Sequence, residues 1–287
     1  MTRCHPKNLL AFLEQENLMP KRTLSQNFLI DENVVEKIIS NLEIVENDII
    51  LEIGPGAGAL TEKLCQHPIH LVCVEKDYTL SRFLNFSINK TKSFEVVCQD
   101  ILDFNFEKFN KNKKIKVISN LPYHITSKIL KLLAKHRSSI SHCIVMTEKG
   151  YAEDLMAADK KKSHDATSFY LHHAFEITSL FSVSKNCFFP KPKIDSSVLK
   201  LYPKDIIVDE LEFYFFIEIL FQNKRKMLQS TLKNFLDIDL NSIFPKYLET
   251  LQLRPEKLTN EQALEIFSLF KSQIKEKINT KKTDHPN

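Results

Sequence analysis

Glycine is scarce in this chain, with 4 among 287 residues. Average usage of about 7% would supply roughly 20. Three of the four, Gly54, Gly56 and Gly58, lie within five residues. Glycine is retained where a backbone turns sharply or a neighbour comes close. Other absences narrow the function. The six cysteines (Cys4, Cys65, Cys73, Cys98, Cys143, Cys187) contain no Cys-x-x-Cys pair. Four of them sit in apolar strand or helix patterns and read as small core residues in a reducing compartment. The ten histidines lack metal-ligand spacing, so no metal is expected, and His172-His173 reads as a surface pair. No Gly-x-x-x-x-Gly-Lys run occurs, which excludes a P-loop nucleotidase. No apolar run approaches the roughly 20 residues of a membrane span. No basic-then-apolar signal segment opens the chain. The expectation is a cytoplasmic protein without a membrane partner. There is no internal repeat.

What is present describes an ordinary soluble protein, 43% apolar and 26% charged. The length suits one large or two unequal domains. The net charge of +4 permits a nucleic-acid partner without requiring one. Residues 1–22 form a mixed lead-in ending in Lys21-Arg22, with a short helix expected over Leu9–Leu18. Asp31 is a suitable N-cap for a helix carrying Val34, Val35, Ile38, Ile39 and Leu42.

From Asp48 strands and helices alternate. Strands are expected at Ile49–Ile53, His70–Val74, Phe94–Cys98, Ile115–Ser119 and Cys143–Thr147, and helices at Leu60–Cys65, Leu80–Ile88 and Thr126–Lys135. That rhythm predicts an α/β fold with a mainly parallel, doubly wound, Rossmann-like sheet. Its binding crevice would lie at the carboxyl ends of the strands. Two helices follow, over Tyr151–Met156 and Ala166–Ala174, separated by a charged loop. Phe175–Val183 and Ser196–Leu201 then alternate like a hairpin closing the sheet's edge. Beyond residue 203 the pattern is helical: Leu211–Phe221, Met227–Leu236, Leu240–Leu251 and Glu261–Phe270. The expected division is a catalytic domain over 1–202 and a smaller all-α domain over 203–287, with a disordered tail from about 274.

The chemistry concentrates at strand ends. Strand, glycine turn and helix over Ile49–Leu64 make the first unit of a nucleotide-binding sheet. Glu75 closes the second strand, 21 residues after Gly54, where a carboxylate accepts ribose hydroxyls. Asp100 closes the third and can accept from an adenine amino group. The spacing Gly54-x-Gly56-x-x-Ala59 also satisfies a dinucleotide fingerprint. Pro55, however, removes an N–H that would cradle a pyrophosphate, which favours a ligand without phosphate such as S-adenosylmethionine. The fourth strand ends in Asn120-Leu121-Pro122-Tyr123. Methylating an exocyclic amine needs acceptors on its N–H groups, because its lone pair is delocalised into the ring. The Asn120 side-chain oxygen and the Leu121 carbonyl form such a pair. Pro122 fixes the turn, and Tyr123 can stack on the base. A nicotinamide-dependent oxidoreductase and a non-enzymatic RNA-binding or assembly factor remain alternatives.

The motifs Gln26-Asn27-Phe28-Leu29, Leu51-Glu52-Ile53-Gly54-Pro55-Gly56, Val74-Glu75, Gln99-Asp100-Ile101-Leu102 and Asn120-Leu121-Pro122-Tyr123 occur in that order. Phe188-Phe189-Pro190-Lys191-Pro192-Lys193-Ile194-Asp195-Ser196 and Phe221-Gln222-Asn223-Lys224-Arg225-Lys226 follow. From about Lys21 to Leu236 the chain thereby resembles the ribosomal RNA adenine N6,N6-dimethyltransferases that modify small-subunit RNA. Erythromycin-resistance methyltransferases and mitochondrial transcription factor B proteins are relatives of that family. The resemblance implies S-adenosylmethionine as cofactor, held by Asn27, Leu29, Gly54, Glu75, Asp100 and Asn120, with Gly56 and Ile101 in the same motifs. It implies that Phe188 sandwiches the target adenine against Tyr123, with Phe189 as runner-up. It further implies dimethylation of two adjacent adenosines in a 3′-terminal hairpin loop of 16S RNA, with a role in small-subunit biogenesis. The partner would be that RNA or a pre-assembled small subunit, met by a monomer. Basic candidates for RNA contact are Lys21, Arg22, Lys160–Lys162, Lys191, Lys193, Lys224, Arg225 and Lys226. The segment Asp159–Thr167 departs from the family's usual loop, and Gly150 replaces a larger residue.

Overall fold

A computed structural model describes residues 11, 14–15, 27–88, 93–106, 113–157, 165–205, 210–236 and 247–284. The helix expected over Leu9–Leu18 falls almost wholly outside these, as do Lys21, Arg22 and Lys160–Lys162. The described chain opens with β1 (Phe28–Leu29), α1 (Glu32–Ser40), β2 (Ile49–Ile53), α2 (Ala59–Leu64), β3 (His70–Glu75), α3 (Tyr78–Ser87) and β4 (Phe94–Cys98). It continues with β5 (Ile115–Asn120), α4 (Thr126–Lys135), β6 (Ile140–Glu148), α5 (Lys149–Ala157), α6 (Ala166–Ala174), β7 (Phe175–Val183), β8 (Phe188–Phe189) and β9 (Ser196–Pro203). Five further helices follow: α7 (Glu210–Gln222), α8 (Leu228–Leu236), α9 (Leu248–Leu251), α10 (Asn260–Leu269) and α11 (Lys271–Asp284).

Seven strands form one sheet in the order β4-β3-β2-β5-β6-β9-β7. β4, β3, β2, β5 and β6 run parallel, and β9 and β7 are antiparallel additions. The expected hairpin pair is therefore present, and β9 inserts between β6 and β7. The parallel strands read as continuous apolar runs because helices cover both faces. Asp31 caps α1 by accepting from the Val34 N–H at 3.1 Å, worth about 1 kcal/mol. The chain leaves β2 toward β3 on one side, while β5 pairs on the other. Loops departing in opposite directions leave a crevice at the β2 and β5 tips.

A two-stranded ribbon crosses near this crevice. Phe28 pairs with Phe189 and Leu29 with Phe188, antiparallel. Cross-strand partners share a face. Leu29 and Phe188 enter the main core with Val35, Ile38 and Met146. Phe28 and Phe189 pack instead with Ala57 and Leu80.

The chain divides into two compact units, residues 1–156 with 175–203, and residues 157–174 with 204–287. This corrects the expected 1–202 boundary: α6 belongs with the C-terminal helices although it precedes β7. Aromatic packing explains it, with Phe169 against Phe221 at 5.6 Å, Tyr170 against Tyr214 at 4.8 Å and His173 against Phe213 at 4.3 Å. His173 is accordingly buried and not a surface residue. The expected disordered tail is also corrected, since Lys271–Asp284 is helical and its Ile274 is fully buried. Cys73 and Cys143 are core residues as expected, whereas Cys98 is exposed because β4 is the sheet's edge.

Gly58 tests the turn that starts α2. Its φ is +89°, and a Cβ there would lie 2.8 Å from Leu84 Cδ2. Leu84 is fully buried and has little room to yield. Gly58→Ala is expected to lower the unfolding free energy by about 2–4 kcal/mol, combining left-handed strain with overpacking. A urea-denaturation midpoint equal to wild type would contradict this reading.

Candidate active site at the strand tips

The crevice is a cavity of about 350 Å³ lined from the ends of β2, β3, β5 and the segment after β4. All the cofactor residues expected from sequence line it: Asn27, Leu29, Gly54, Gly56, Glu75, Asp100, Ile101 and Asn120. Leu121, Pro122 and Tyr123 line it as well.

Local chemistry explains each placement. Gly54 has φ +63°, and its N–H donates to the Val74 carbonyl at 2.9 Å. A Cβ on Gly54 would meet nothing within 4 Å. The missing side chain thus leaves open space against the backbone. Gly56 sits under Phe28, whose ring would lie 3.2 Å from an added Cβ. The Gly56 N–H donates to Glu75 Oε2 at 3.1 Å, and the Asp77 N–H donates to Glu75 Oε1 at 2.8 Å. Glu75 is buried; burial raises its pKa, while these two backbone bonds pull the other way. Asp100 accepts from Lys76 Nζ at 2.7 Å and from the Leu102 N–H at 3.0 Å. Burial opposes its charge, but the lysine and the backbone bond hold its pKa below the usual carboxylate value. A carboxylate has about four lone-pair sites, so capacity for a further donor remains.

The β5 tip is pinned on several sides. Ser119 Oγ donates to the Ile53 carbonyl at 2.7 Å, tying β5 to β2. The Leu121 N–H donates to the Met146 carbonyl at 2.9 Å. The Pro122 carbonyl accepts from the Ile125 N–H at 3.1 Å and from Thr126 Oγ1 at 3.2 Å. Asn120 Nδ2 donates to the Asn27 carbonyl at 3.1 Å. A carbonyl only accepts, so the amide nitrogen must face Asn27 and Oδ1 must face away from it. The Tyr123 hydroxyl shares a 2.7 Å hydrogen bond with Ser196 Oγ, which holds the half-buried ring.

Phe188 is a correction. Its ring is 3% exposed, packs in the main core beside Leu29, and is not among the cavity's lining residues. Strand alternation is the reason: pairing with Leu29 turns Phe188 inward and Phe189 to the other face. The structure also brings in residues that no motif argument had assigned a role. Lys76 bonds Asp100, Phe28 covers the glycine turn, and Glu52 lines the cavity. Glu52 had a signal in sequence, as a lone charge inside an apolar strand. Lys191 and Lys193 are exposed in the segment after β8, and Lys224, Arg225 and Lys226 are exposed between α7 and α8.

The family model for ribosomal RNA adenine dimethylase matches residues 18–274. The chain belongs to that family. It is 34% identical to ribosomal RNA small subunit methyltransferase A of Protochlamydia amoebophila, over 93% of this chain and 98% of the relative. It is 36% identical to the protein of that name from Malacoplasma penetrans, over 90% and 94%. In fold it is similar to a dimethyladenosine transferase from Plasmodium falciparum, with TM-score 0.70, 24% identity and coverage of 85% and 98%. The 23S rRNA methyltransferase ErmE shares the fold with TM-score 0.59 and 20% identity, over 84% of this chain and 98% of that one. Membership decides between the donors that the glycine spacing left open, since this family uses S-adenosylmethionine. The cavity fits that cofactor: its volume lies in the range of small-molecule sites, and Gly54 leaves room against the backbone. Glu75 and Asp100 place two carboxyl groups on its wall.

Gly54 yields a test that separates binding from folding. Gly54→Ala is expected to lower stability by only about 1–2 kcal/mol, the left-handed backbone cost. It should raise the Kd for S-adenosylhomocysteine by about tenfold or more, because the methyl group enters the cavity. Unchanged affinity by calorimetry would show that the open space is not used.

Proposed function

We propose that this protein transfers two methyl groups from S-adenosylmethionine to N6 of adenosines in small-subunit ribosomal RNA. The observation that carries the reading is the Asn120 amide, anchored on the Asn27 carbonyl inside the cavity. The cofactor supplies a methyl group made electrophilic by a sulfonium.

The protein's own work is binding and alignment. Glu75 accepts ribose hydroxyls and Asp100 an adenine amino group, while Ile101 supplies an apolar wall. Asn27 and Leu29, carried on the β1–β8 ribbon, close over the methionine end. Asn120 Oδ1 and the Leu121 carbonyl accept the two N–H groups of the target amine. That bonding draws the nitrogen toward tetrahedral geometry and stabilises its developing positive charge. Tyr123, held through Ser196, offers a ring face to the base. No strong general base is needed, because in-line placement supplies much of the rate. The second transfer has one N–H fewer to satisfy, so the turn must leave room for a methyl group.

The finer targets are two adjacent adenosines in a 3′-terminal hairpin loop of 16S RNA, met as a monomer and linked to small-subunit biogenesis. Lys191 and Lys193 support phosphate contact from the catalytic unit, and Lys224, Arg225 and Lys226 support it from the helical unit.

Purified protein should convert small-subunit RNA or subunits from cells lacking the modification to N6,N6-dimethyladenosine, read by nucleoside mass spectrometry. Absence of any methylated adenine with both substrates would reject the proposal. Asn120→Ala should abolish transfer while cofactor binding weakens but survives; full activity would remove Asn120 from the mechanism. Glu75→Ala should weaken cofactor binding far more than RNA binding, as separate calorimetric titrations would show. Equal losses for the two ligands would contradict its assignment.

A further inference from the structure

Glu52 is a carboxyl group without a counter-ion at the head of the glycine turn. It is 1% exposed and lines the cavity with Ile53 and Gly54. The Cys73 thiol, its cross-strand neighbour, donates to Oε2 at 3.5 Å. The titratable groups facing it are Cys73 and Glu75 from β3 and Cys65 from α2's end; Thr61 from α2 adds a hydroxyl. Among the described residues, no lysine, arginine or histidine acts on it. A buried carboxylate without a cation is costly, so such a group takes a proton instead. Burial pushes the Glu52 pKa up to about 7. Both thiols beside it are also held protonated by burial. A site poised in this way shifts toward its charged form when a cation arrives.

We propose that Glu52 is a charge-sensing group of the cofactor cavity, which ionises further when the sulfonium donor binds and keeps its free-state protonation with the thioether product. The proposal rests on the S-adenosylmethionine reading above. The donor carries one positive charge more than S-adenosylhomocysteine. On donor binding the Glu52 carboxyl loses its proton to solvent, leaving carboxylate and cation together. Product binding brings no sulfonium charge, so the carboxyl keeps the protonation of the free site. The pair is thereby selective for the charged donor over its spent form. The sign follows directly. Glu52 has a lower pKa with donor than without it, so donor affinity is full above about pH 7 and falls as pH drops toward the donor-bound value. Product affinity stays flat through that window. Glu75 lines the same cavity and also feels the added charge, so the comparison with Glu52→Gln separates its share.

Calorimetric titration of the full chain in two buffers of different ionisation enthalpy counts the protons released by each ligand. An opposite charge lowers a neighbouring pKa by about one to three units, so the donor should release about half a proton near pH 7. The product should release none, and donor-over-product selectivity should fall about tenfold between roughly pH 7.5 and 5.5. In Glu52→Gln the release attributable to this group disappears, while any protons from the donor's own amine persist and are subtracted. Should that variant fail to fold, wild type titrated with the analogue bearing an ammonium in place of the sulfonium gives the same comparison against product. Equal proton counts for charged and neutral ligands, or an unchanged pH profile in Glu52→Gln, would overturn the proposal. Failure of both ligands to bind would overturn the cofactor reading itself.

Discussion

One hydrogen bond sets the geometry on which the site depends: the Asn120 amide donating to the Asn27 carbonyl. A carboxamide can present either end to a cavity, and its two ends are chemically opposite. Contact with a carbonyl removes the choice, since only the nitrogen end can bond there. The acceptor end is then set by the fold. Asn27 in turn is positioned by a ribbon only two residues long. Two residues cannot hold a register alone, and the core does it for them through Leu29 and Phe188. The aromatic that sequence assigned to the substrate thus anchors the strand that orients the amide.

The cavity around that amide is assembled from absences and buried charges. The missing side chain at Gly54 leaves backbone open to a ligand, while Gly58 lets α2 approach Leu84. Glu75 is fixed by two backbone N–H groups, and Asp100 by a lysine and a backbone N–H. Preorganised acceptors of this kind need little rearrangement when a ligand arrives. Glu52 differs in kind, for no cation or backbone donor stabilises its charge. The three carboxyls at neighbouring strand tips therefore span three electrostatic states, set by their partners and not by residue type.

Most of this was legible in the chain because the parallel sheet announces itself. Buried strands read as short apolar runs, and acidic or amide residues at their ends stand out against them. The glycine cluster and the Asn120–Tyr123 turn could be read without coordinates for the same reason. Three features could not. Phe188 and Phe189 alternate across one ribbon, and composition cannot say which of two adjacent rings faces inward. α6 is separated from its packing partners by a strand pair, so a boundary drawn along the sequence misassigns it. α11 is nearly all polar, and among its described side chains Ile274 is the buried one. Partnerships such as Lys76 with Asp100 join residues 24 apart and belong to tertiary structure alone.

The central claim is that this anchored amide and the adjacent carbonyl receive a purine amine beside the donor's methyl. A crystal structure with a bisubstrate analogue, in which adenine N6 is linked through carbon to the donor position, tests it most directly. The account predicts that Asn120 Oδ1 and the Leu121 carbonyl oxygen lie about 3 Å from that nitrogen, with the Asn27 contact retained. An analogue bound with its adenine away from the β5 tip, or an Asn120 amide turned so that Nδ2 faces the nitrogen, would contradict it.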